Sequence, residues 1–123
     1  MSCQGNDLTD KLRGKWQLKT IEQAGDIIQV DTVWYNFQTE SLFMYQIYWA
    51  DKDSFMYRYG YRVQTDDIME LELDDNNKEV PLTRFLPYTD WESATRTFIV
   101  ENITGKHLKI RSDNKSYSFT KFE

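Results

Sequence analysis

The sequence predicts an all-β protein: a single antiparallel up-and-down barrel of about eight strands, preceded by a short helical turn. Three observations predict it. Apolar and polar residues alternate along successive segments, as in strands with one buried face. These segments recur about every 8–12 residues, separated by Gly, Asp and Asn, which is typical of barrels and sandwiches. Aromatic residues make up 15% of the 123 residues, and their rings pack well on pleated sheets.

The first segment leads from a tether into a strand. Residues 1–7 are small and polar and are interpreted as a flexible tether, which places the folded domain at 8–123. The next residues indicate one or two helical turns that end at Gly14. From there Trp16 and Leu18 share one face of a strand. The glycine lets the chain swing from the helical turn into the strand, so we expect Trp16 to cover the bottom of the barrel.

The later strands follow from the same alternation. They are expected at 27–38 with a bend near Asp31, 41–49, 55–64, 67–73, 96–103, 107–111 and 115–122. Between them, residues 80–86 indicate an edge-like strand, because Pro81 and Pro87 exclude a central one. Thr89 and Glu92 fit a capping box, which predicts one helical turn near Trp91.

The strand at 55–64 has the clearest alternation. Its odd-numbered positions are aromatic up to 61, and Arg58, Gly60 and Arg62 lie on the opposite face. We expect the rings to point inward and both arginines to face water. The alternative is a bulge at Gly60 that reverses part of the strand. One arginine would then enter the barrel, where it would pair with the carboxylate of a ligand.

Both ends of the chain resemble a known family. Leu12, Gly14, Lys15 and Trp16 resemble the first-strand signature of lipocalins, also called calycins. The closing segment, residues 98–122, is similar to the last strands of the small lipocalin-like domains of bacterial envelope lipoproteins. The similarity is carried there by Phe98, Glu101, Leu108, Ile110, Arg111, Ser112, Tyr117, Phe119 and Lys121.

This resemblance implies roles for three further residues. In lipocalins a cation from the final strand, usually an arginine, packs across the signature tryptophan. Lys121 is in phase with the inward positions of its strand and is assigned to that role, whereas Arg111 should face out. Cys3 follows a small residue and precedes a polar tether, so it is either a lipid attachment site or an ordinary free thiol. The resemblance favours lipidation, and with it a bacterial cell envelope location.

The remaining composition argues against several function classes. The net charge of −5 disfavours nucleic-acid binding, and a single cysteine excludes an intrachain disulfide. No zinc spacing, calcium loop or phosphate loop is present, so no metal or cofactor is expected. The one histidine, His107, falls at a solvent-facing position, and no catalytic residue can be assembled from spacing. We therefore expect no enzyme.

The aromatic residues carry the functional prediction. Eleven of the 19 lie between residues 34 and 61. They fit either a filled barrel core or the wall of a pocket. The favoured function is binding of a small hydrophobic or amphipathic ligand in the barrel, by Tyr45, Phe55, Tyr57, Tyr59 and Tyr61. The alternative is a closed-core module for protein or glycan contact at the cell surface, with Trp49, Tyr88 and Trp91 exposed in loops.

Overall fold

The computed structural model describes residues 10–49, 52–75 and 81–122. The strands in this part of the chain are β1 (Gly14–Gln23), β2 (Asp26–Gln29), β3 (Val33–Phe37), β4 (Leu42–Trp49), β5 (Ser54–Thr65), β6 (Ile68–Leu73), β7 (Thr95–Ile103), β8 (His107–Ser112) and β9 (Lys115–Lys121). Residues 10–12 belong to a short helix, α1. A second helix, α2 (Leu82–Phe85), continues into a 3-10 helix at Leu86–Tyr88.

The strands close into the predicted antiparallel barrel. From β3 to β9 each strand pairs with the next, and β9 pairs back onto β1 from Trp16 to Gln23. The other edge of β1 pairs with β3 in its first half and with β2 in its second half. β2 and β3 thus form one strand interrupted at residues 30–32, which confirms the bend expected near Asp31 and gives a barrel of eight strands.

The floor of the barrel is built from α1 and the two closing strands. Trp16 is fully buried, and its indole nitrogen donates to the main-chain oxygen of Leu12 at 2.8 Å. The Lys121 ammonium lies 4.5 Å from the centre of the Trp16 ring and donates to the Arg13 oxygen at 2.6 Å. Gly14 has φ +122°, and a Cβ there would lie 2.5 Å from the Lys121 nitrogen. Only glycine suits both this conformation and this approach.

Aromatic rings fill the interior. Tyr35 is central: its ring lies 4.9 Å from Tyr45 and 5.0 Å from Phe119, centre to centre. Trp91 enters the same cluster and donates to the Tyr35 hydroxyl at 3.0 Å. The fully buried rings include those of Phe37, Phe43, Phe85, Phe98 and Tyr117. Of the two interpretations of the aromatic residues, the filled core describes this interior.

The chain between β6 and β7 differs from the prediction. In place of an edge-like strand, residues 82–85 form α2, whose buried Leu82 and Phe85 are three positions apart and share one face. The helical turn expected at Trp91 is also wrong, because residues 89–94 contain no helical turn and the short helix ends at Tyr88. Residues 1–9, with the tether and Cys3, lie outside the described residues, as does Val80.

Candidate functional site

The orientation of β5 is the reverse of the one expected. Phe55, Tyr57, Tyr59 and Tyr61 are exposed by 42–58% on the outer surface, and we call these four residues the aromatic face. Arg58 and Arg62 are only 3% exposed and point inward. The prediction that the four rings line the barrel interior was therefore wrong. Tyr45, on β4, does point inward, where it is packed among the core rings.

The reason for this orientation lies on β4. Phe43 and Tyr45 point inward and stand opposite Gly60 and Arg58. A Cβ on Gly60 would lie 2.6 Å from the Phe43 ring and 2.4 Å from the Glu72 oxygen, so the ring occupies the space that a side chain would need. A small barrel has limited interior volume, and rings from the other strands already use it. The reversal therefore needs no bulge, and the pairing of β5 with β4 and β6 is in continuous register.

A cleft opens beside the first half of β5, and we call it the β5 cleft. Its volume is about 340 Å³, and it is lined by Phe55, Met56, Tyr57, Arg58, Tyr59, Asp74 and Phe85. Three members of the aromatic face thus form one side, and the Phe85 ring of α2 forms another. This lining combines large apolar surfaces with a cation, which is the combination that small-molecule sites use.

Arg58 and Phe85 are the buried residues of the cleft lining. The Arg58 guanidinium carbon lies 5.3 Å above the Phe85 ring, and Nη1 donates to the main-chain oxygen of Asp74 at 3.2 Å. The ring and the carbonyl hold the guanidinium plane in place, with its charge within the apolar wall.

Arg62 lies toward the opposite end of the barrel, near α1. Its guanidinium lies 5.3 Å above the Phe37 ring, and Nε donates to the Glu40 main-chain oxygen at 3.3 Å. Among the described residues, neither Nη1 nor Nη2 has a hydrogen-bond partner. Burial and the nearby Arg13 charge both lower the pKa of Arg62. The charge of Glu40 acts in the opposite direction, but it is the smallest of these three causes, so the surroundings disfavour the buried cation.

A polar network closes the end of the barrel that lies opposite α1. The Asp90 carboxylate accepts a hydrogen bond from the Tyr117 hydroxyl and lies 3.5 Å from Arg96 and 3.6 Å from Lys115. Arg96 also donates to the Asp90 main-chain oxygen at 3.0 Å and to the Ser112 hydroxyl at 3.0 Å. An open polar pocket of about 340 Å³ adjoins these residues. Because each charge already has a partner, the network serves to tie residue 90 to the barrel end.

This network also raises the pKa values of the tyrosines beneath it. Burial raises the pKa of Tyr35, with the Asp90 charge as a further cause. Burial and the hydrogen bond to Asp90 raise the pKa of Tyr117, and burial raises that of Tyr45. These hydroxyls therefore remain protonated at neutral pH and act as structural hydrogen-bonding groups.

The loop aromatics that were expected to be exposed divide into two groups. Tyr88 is 49% exposed, and its ring lies 5.4 Å from that of the half-buried Trp49. Trp91 is only 4% exposed, so its expected exposure was wrong. The cause is the Tyr35 hydroxyl, which accepts the indole hydrogen bond inside the core. His107 and Arg111 are exposed, and Arg111 pairs with Glu101 at 2.8 Å.

The described residues, 10–49, 52–75 and 81–122, contain no group of three or more His, Cys, Asp or Glu side chains placed to hold a metal ion. The same part of the chain contains no helix of the length and hydropathy needed to span a membrane.

A closed eight-stranded antiparallel barrel with a tryptophan floor and a cation across it defines a lipocalin-type protein. The family model described as a lipocalin-like domain matches residues 1–122, so the chain belongs to the lipocalin-like domain family. A lipocalin-like protein from Bacteroides uniformis has a similar structure, with a TM-score of 0.77 and 27% identity over 91% of this chain and 99% of that chain. An uncharacterized protein from Bacteroides eggerthii is similar too, with a TM-score of 0.71 and 27% identity over 90% and 99%. Among curated proteins, none matches this sequence.

Sequence reasoning missed two parts of the cleft. Phe85 was not considered because its segment was assigned to a strand, although its spacing from Leu82 fits a helical face. Arg58 was weighed as an interior residue only if a bulge was present. The signal available for it was Gly60, which marks the face of β5 where a ring from the neighbouring strand needs room.

Proposed function

We propose that this protein is a non-enzymatic binding module of the bacterial cell envelope, and that it binds a small amphipathic molecule in the β5 cleft. The cleft is the observation that carries the proposal. Its volume of about 340 Å³ falls within the range of small-molecule sites, roughly 300–1,000 Å³. The filled interior moves the expected ligand from the lumen to the side of the barrel. Membership of the lipocalin-like family supports binding as the activity.

The lining indicates the chemistry of the ligand. Phe55, Tyr57 and Phe85 offer ring surfaces for an apolar body. The Arg58 guanidinium, which also donates to the Asp74 main-chain oxygen, is a planar group with five N–H donors and is suited to a carboxylate or phosphate head. We therefore propose a ligand with a short apolar chain and an acidic head.

The test is a titration with dodecanoate, followed by amide NMR shifts and calorimetry. The two tyrosines at 57 and 61 supply a matched pair, since each is 49% exposed on the same face and only Tyr57 lines the cleft. We expect shifts at residues 55–59, at least tenfold weaker binding for Tyr57→Ser, and less than twofold change for Tyr61→Ser. Absence of binding at 1 mM dodecanoate, or equal losses in both variants, would contradict the proposal.

The second candidate function is protein or glycan contact at the cell surface. It is favoured by the filled interior and by the exposure of the whole aromatic face. The same pair of variants separates the two functions. If the whole aromatic face is a contact surface, both Tyr57→Ser and Tyr61→Ser weaken the binding of a macromolecular partner. If the β5 cleft binds the ligand, only Tyr57→Ser of these two variants weakens binding.

The envelope location rests on Cys3 as the proposed lipid attachment site. Its support is the sequence context of Cys3 together with the similarity to proteins from Bacteroides. Mass spectrometry of the amino-terminal peptide from membranes of the source bacterium tests it. A Cys3 thiol without lipid in that peptide would exclude the anchor.

A further inference from the structure

The outer face of β5 and β6 carries a strip of apolar and acidic side chains. Tyr61 stands opposite Glu72 in the register of the two strands, and Val63 stands opposite Glu70. Arg62, which lies between Tyr61 and Val63, is buried, so these four side chains point outward. We call this strip the acidic-aromatic surface, and its members are Tyr59, Tyr61, Val63, Ile68, Glu70 and Glu72.

The apolar members of this surface are large side chains in contact with solvent. Each of the four is at least 45% exposed: Tyr59, Tyr61, Val63 and Ile68. A single exposed apolar side chain needs no explanation, but several side by side mark a contact with another molecule. The strip therefore has the character of a contact surface, and its other side chains indicate the kind of partner.

The charge of this surface has one sign. Residues 54–73 contain two cations and four carboxylates. Both cations, Arg58 and Arg62, are buried with their side chains pointing inward. The carboxylates are all exposed, and they belong to Asp66, Asp67, Glu70 and Glu72. The outer side of these two strands and of the turn between them is therefore acidic.

The cross-strand neighbours of Glu70 and Glu72 are uncharged. On β7 these neighbours are Thr97 and Thr95, and on β5 they are the valine and the tyrosine named above. The two glutamates point to the same face about 6.5–7 Å apart along the strand, so their charges repel each other. A cation placed above them relieves this repulsion.

Rings beside carboxylates suit the guanidinium group of arginine. A guanidinium stacks on an aromatic ring and also donates to a carboxylate through two parallel N–H groups. The Cβ atoms of directly opposite residues such as Tyr61 and Glu72 are about 4.5–5.5 Å apart, so one guanidinium can contact both side chains. The net charge of −5 attracts a cationic partner over a longer range as well.

Other occupants use only part of this chemistry. A second copy of the chain would bring the same carboxylates and the same net charge with it, so like charges would meet. A neutral glycan would cover the rings and leave the carboxylates without a counter-charge. An anionic lipid surface would be repelled. Charge complementarity thus favours a cationic partner.

We propose that the acidic-aromatic surface binds an arginine-rich segment of a partner protein, with guanidinium groups held between the tyrosine rings of β5 and the two glutamates of β6. The proposal rests on the second candidate function, since it uses part of the aromatic face, and it gives the macromolecular partner a chemistry. It is separate from the β5 cleft, whose lining does not include Tyr61, Glu70 or Glu72.

Titration of the full chain with a peptide of three Arg-Gly repeats, blocked at both ends, tests this binding by amide NMR shifts. The same peptide with glutamine in place of arginine is the control for charge. Glu70→Gln combined with Glu72→Gln removes two charges and keeps the shape of the surface. Its matched control is Glu22→Gln combined with Asp26→Asn, because both residues are exposed on β1 and β2 and the net charge changes equally.

A second pair of variants tests the rings. Tyr61→Ser removes a ring from the acidic-aromatic surface. Tyr88→Ser is its control, because Tyr88 is equally exposed but lies on the 3-10 helix that follows α2. All of these substitutions are at exposed positions, and circular dichroism confirms that each variant is folded.

We expect the peptide to shift the amides of residues 59–63 and 68–72, with an affinity that falls as salt is added. The double glutamine variant should bind about fivefold or more weakly, from the loss of two exposed charge contacts. Tyr61→Ser should bind about threefold or more weakly, from the loss of a cation–π contact. Both controls should stay within about twofold of the wild type.

The proposal is overturned by absence of shifts at about 5 mM peptide, by equal binding of the glutamine peptide, or by equal losses in the two charge variants. Shifts of the same amides with protein concentration alone would show a second copy on this surface and would overturn it too. Peptide binding without dodecanoate binding leaves this inference standing and sinks the cleft function. Dodecanoate binding without peptide binding does the reverse.

Discussion

Replacement of Arg62 by methionine should stabilise the protein. The wild-type guanidinium is 3% exposed, and in the described part of the chain its two terminal nitrogens have no hydrogen-bond partner. Its favourable interactions are one long bond, 3.3 Å, to the Glu40 oxygen, a cation–π contact with Phe37, and the attraction of the Glu40 charge, which is outweighed by the repulsion from Arg13. Methionine keeps the apolar stem of the side chain and removes the buried charge.

The size of the effect follows from one unfavourable contribution and two favourable ones. Burial of an ion costs several kcal/mol even after the protein relaxes. Against this, the bond to Glu40 contributes about 0.5–1.5 kcal/mol, and the contact with Phe37 contributes about 0.5–2 kcal/mol. The balance favours methionine by about 1–3 kcal/mol, which agrees with the gains seen when buried ionic groups are replaced by apolar ones.

Urea unfolding followed by tryptophan fluorescence measures this change. We expect the midpoint for Arg62→Met to rise by about 0.5–1.5 M with an unchanged slope. Arg111→Met is the control, because its ion pair with Glu101 is solvent-exposed, with side chains 45% and 32% exposed. Such pairs contribute about 0–1 kcal/mol. A loss of more than about 1 kcal/mol in Arg62→Met would show that the guanidinium has compensating partners in solution, and the reasoning would fail.

Two further predictions concern the core. Because the pKa values of Tyr35, Tyr45 and Tyr117 are raised, the folded state keeps protons that the unfolded chain releases near pH 10, so stability is fully present below that pH and is lost above it. The free energy of unfolding, measured by urea denaturation, should be constant from pH 7 to 9 and fall above pH 10, by up to about 1.4 kcal/mol per pH unit for each tyrosine. The fall should be shallower in Tyr117→Phe, and a flat profile to pH 11.5 would refute this. Gly60→Ala should cost about 1–3 kcal/mol, because its Cβ would meet the Glu72 oxygen at 2.4 Å. Gly105→Ala is the control, with nothing within 4 Å of its Cβ, and equal melting temperatures for the two variants would contradict the packing argument.

Local patterns predicted the barrel because several of its strands, among them β5, β6 and β8, repeat the same two-residue period. The strand β6 shows this most plainly: Met69 and Leu71 are buried, and Glu70 and Glu72 are exposed, as expected from the alternation alone. The first strand followed from Gly14, whose backbone freedom is needed where the chain turns beneath the floor. These features depend on residues that are close in the chain or repeat a regular period, and so they can be inferred without knowing the fold.

The candidate site was less predictable because its parts come from distant segments. Arg58 belongs to β5, Asp74 follows β6, and Phe85 lies on α2. Neither the composition nor the spacing of these segments predicts that they lie together in the fold. The spacing of Leu82 and Phe85 is that of a helical face and so indicated α2. The prolines at 81 and 87 suggested an edge-like strand instead.

The sequence by itself determined an antiparallel barrel of about eight strands and the glycine and tryptophan at the floor, since these depend on local period and backbone conformation. Only the tertiary structure decided which face of β5 points inward. Both faces carry large side chains with apolar surface, because the stem of an arginine is as apolar as much of a tyrosine ring. The choice was made by interior volume: Phe43 and the rings around Tyr35 already fill the space, and only the face with Gly60 leaves room for them. The side chains of all strands share the interior volume, so the sequence of a single strand cannot show how much of it is left.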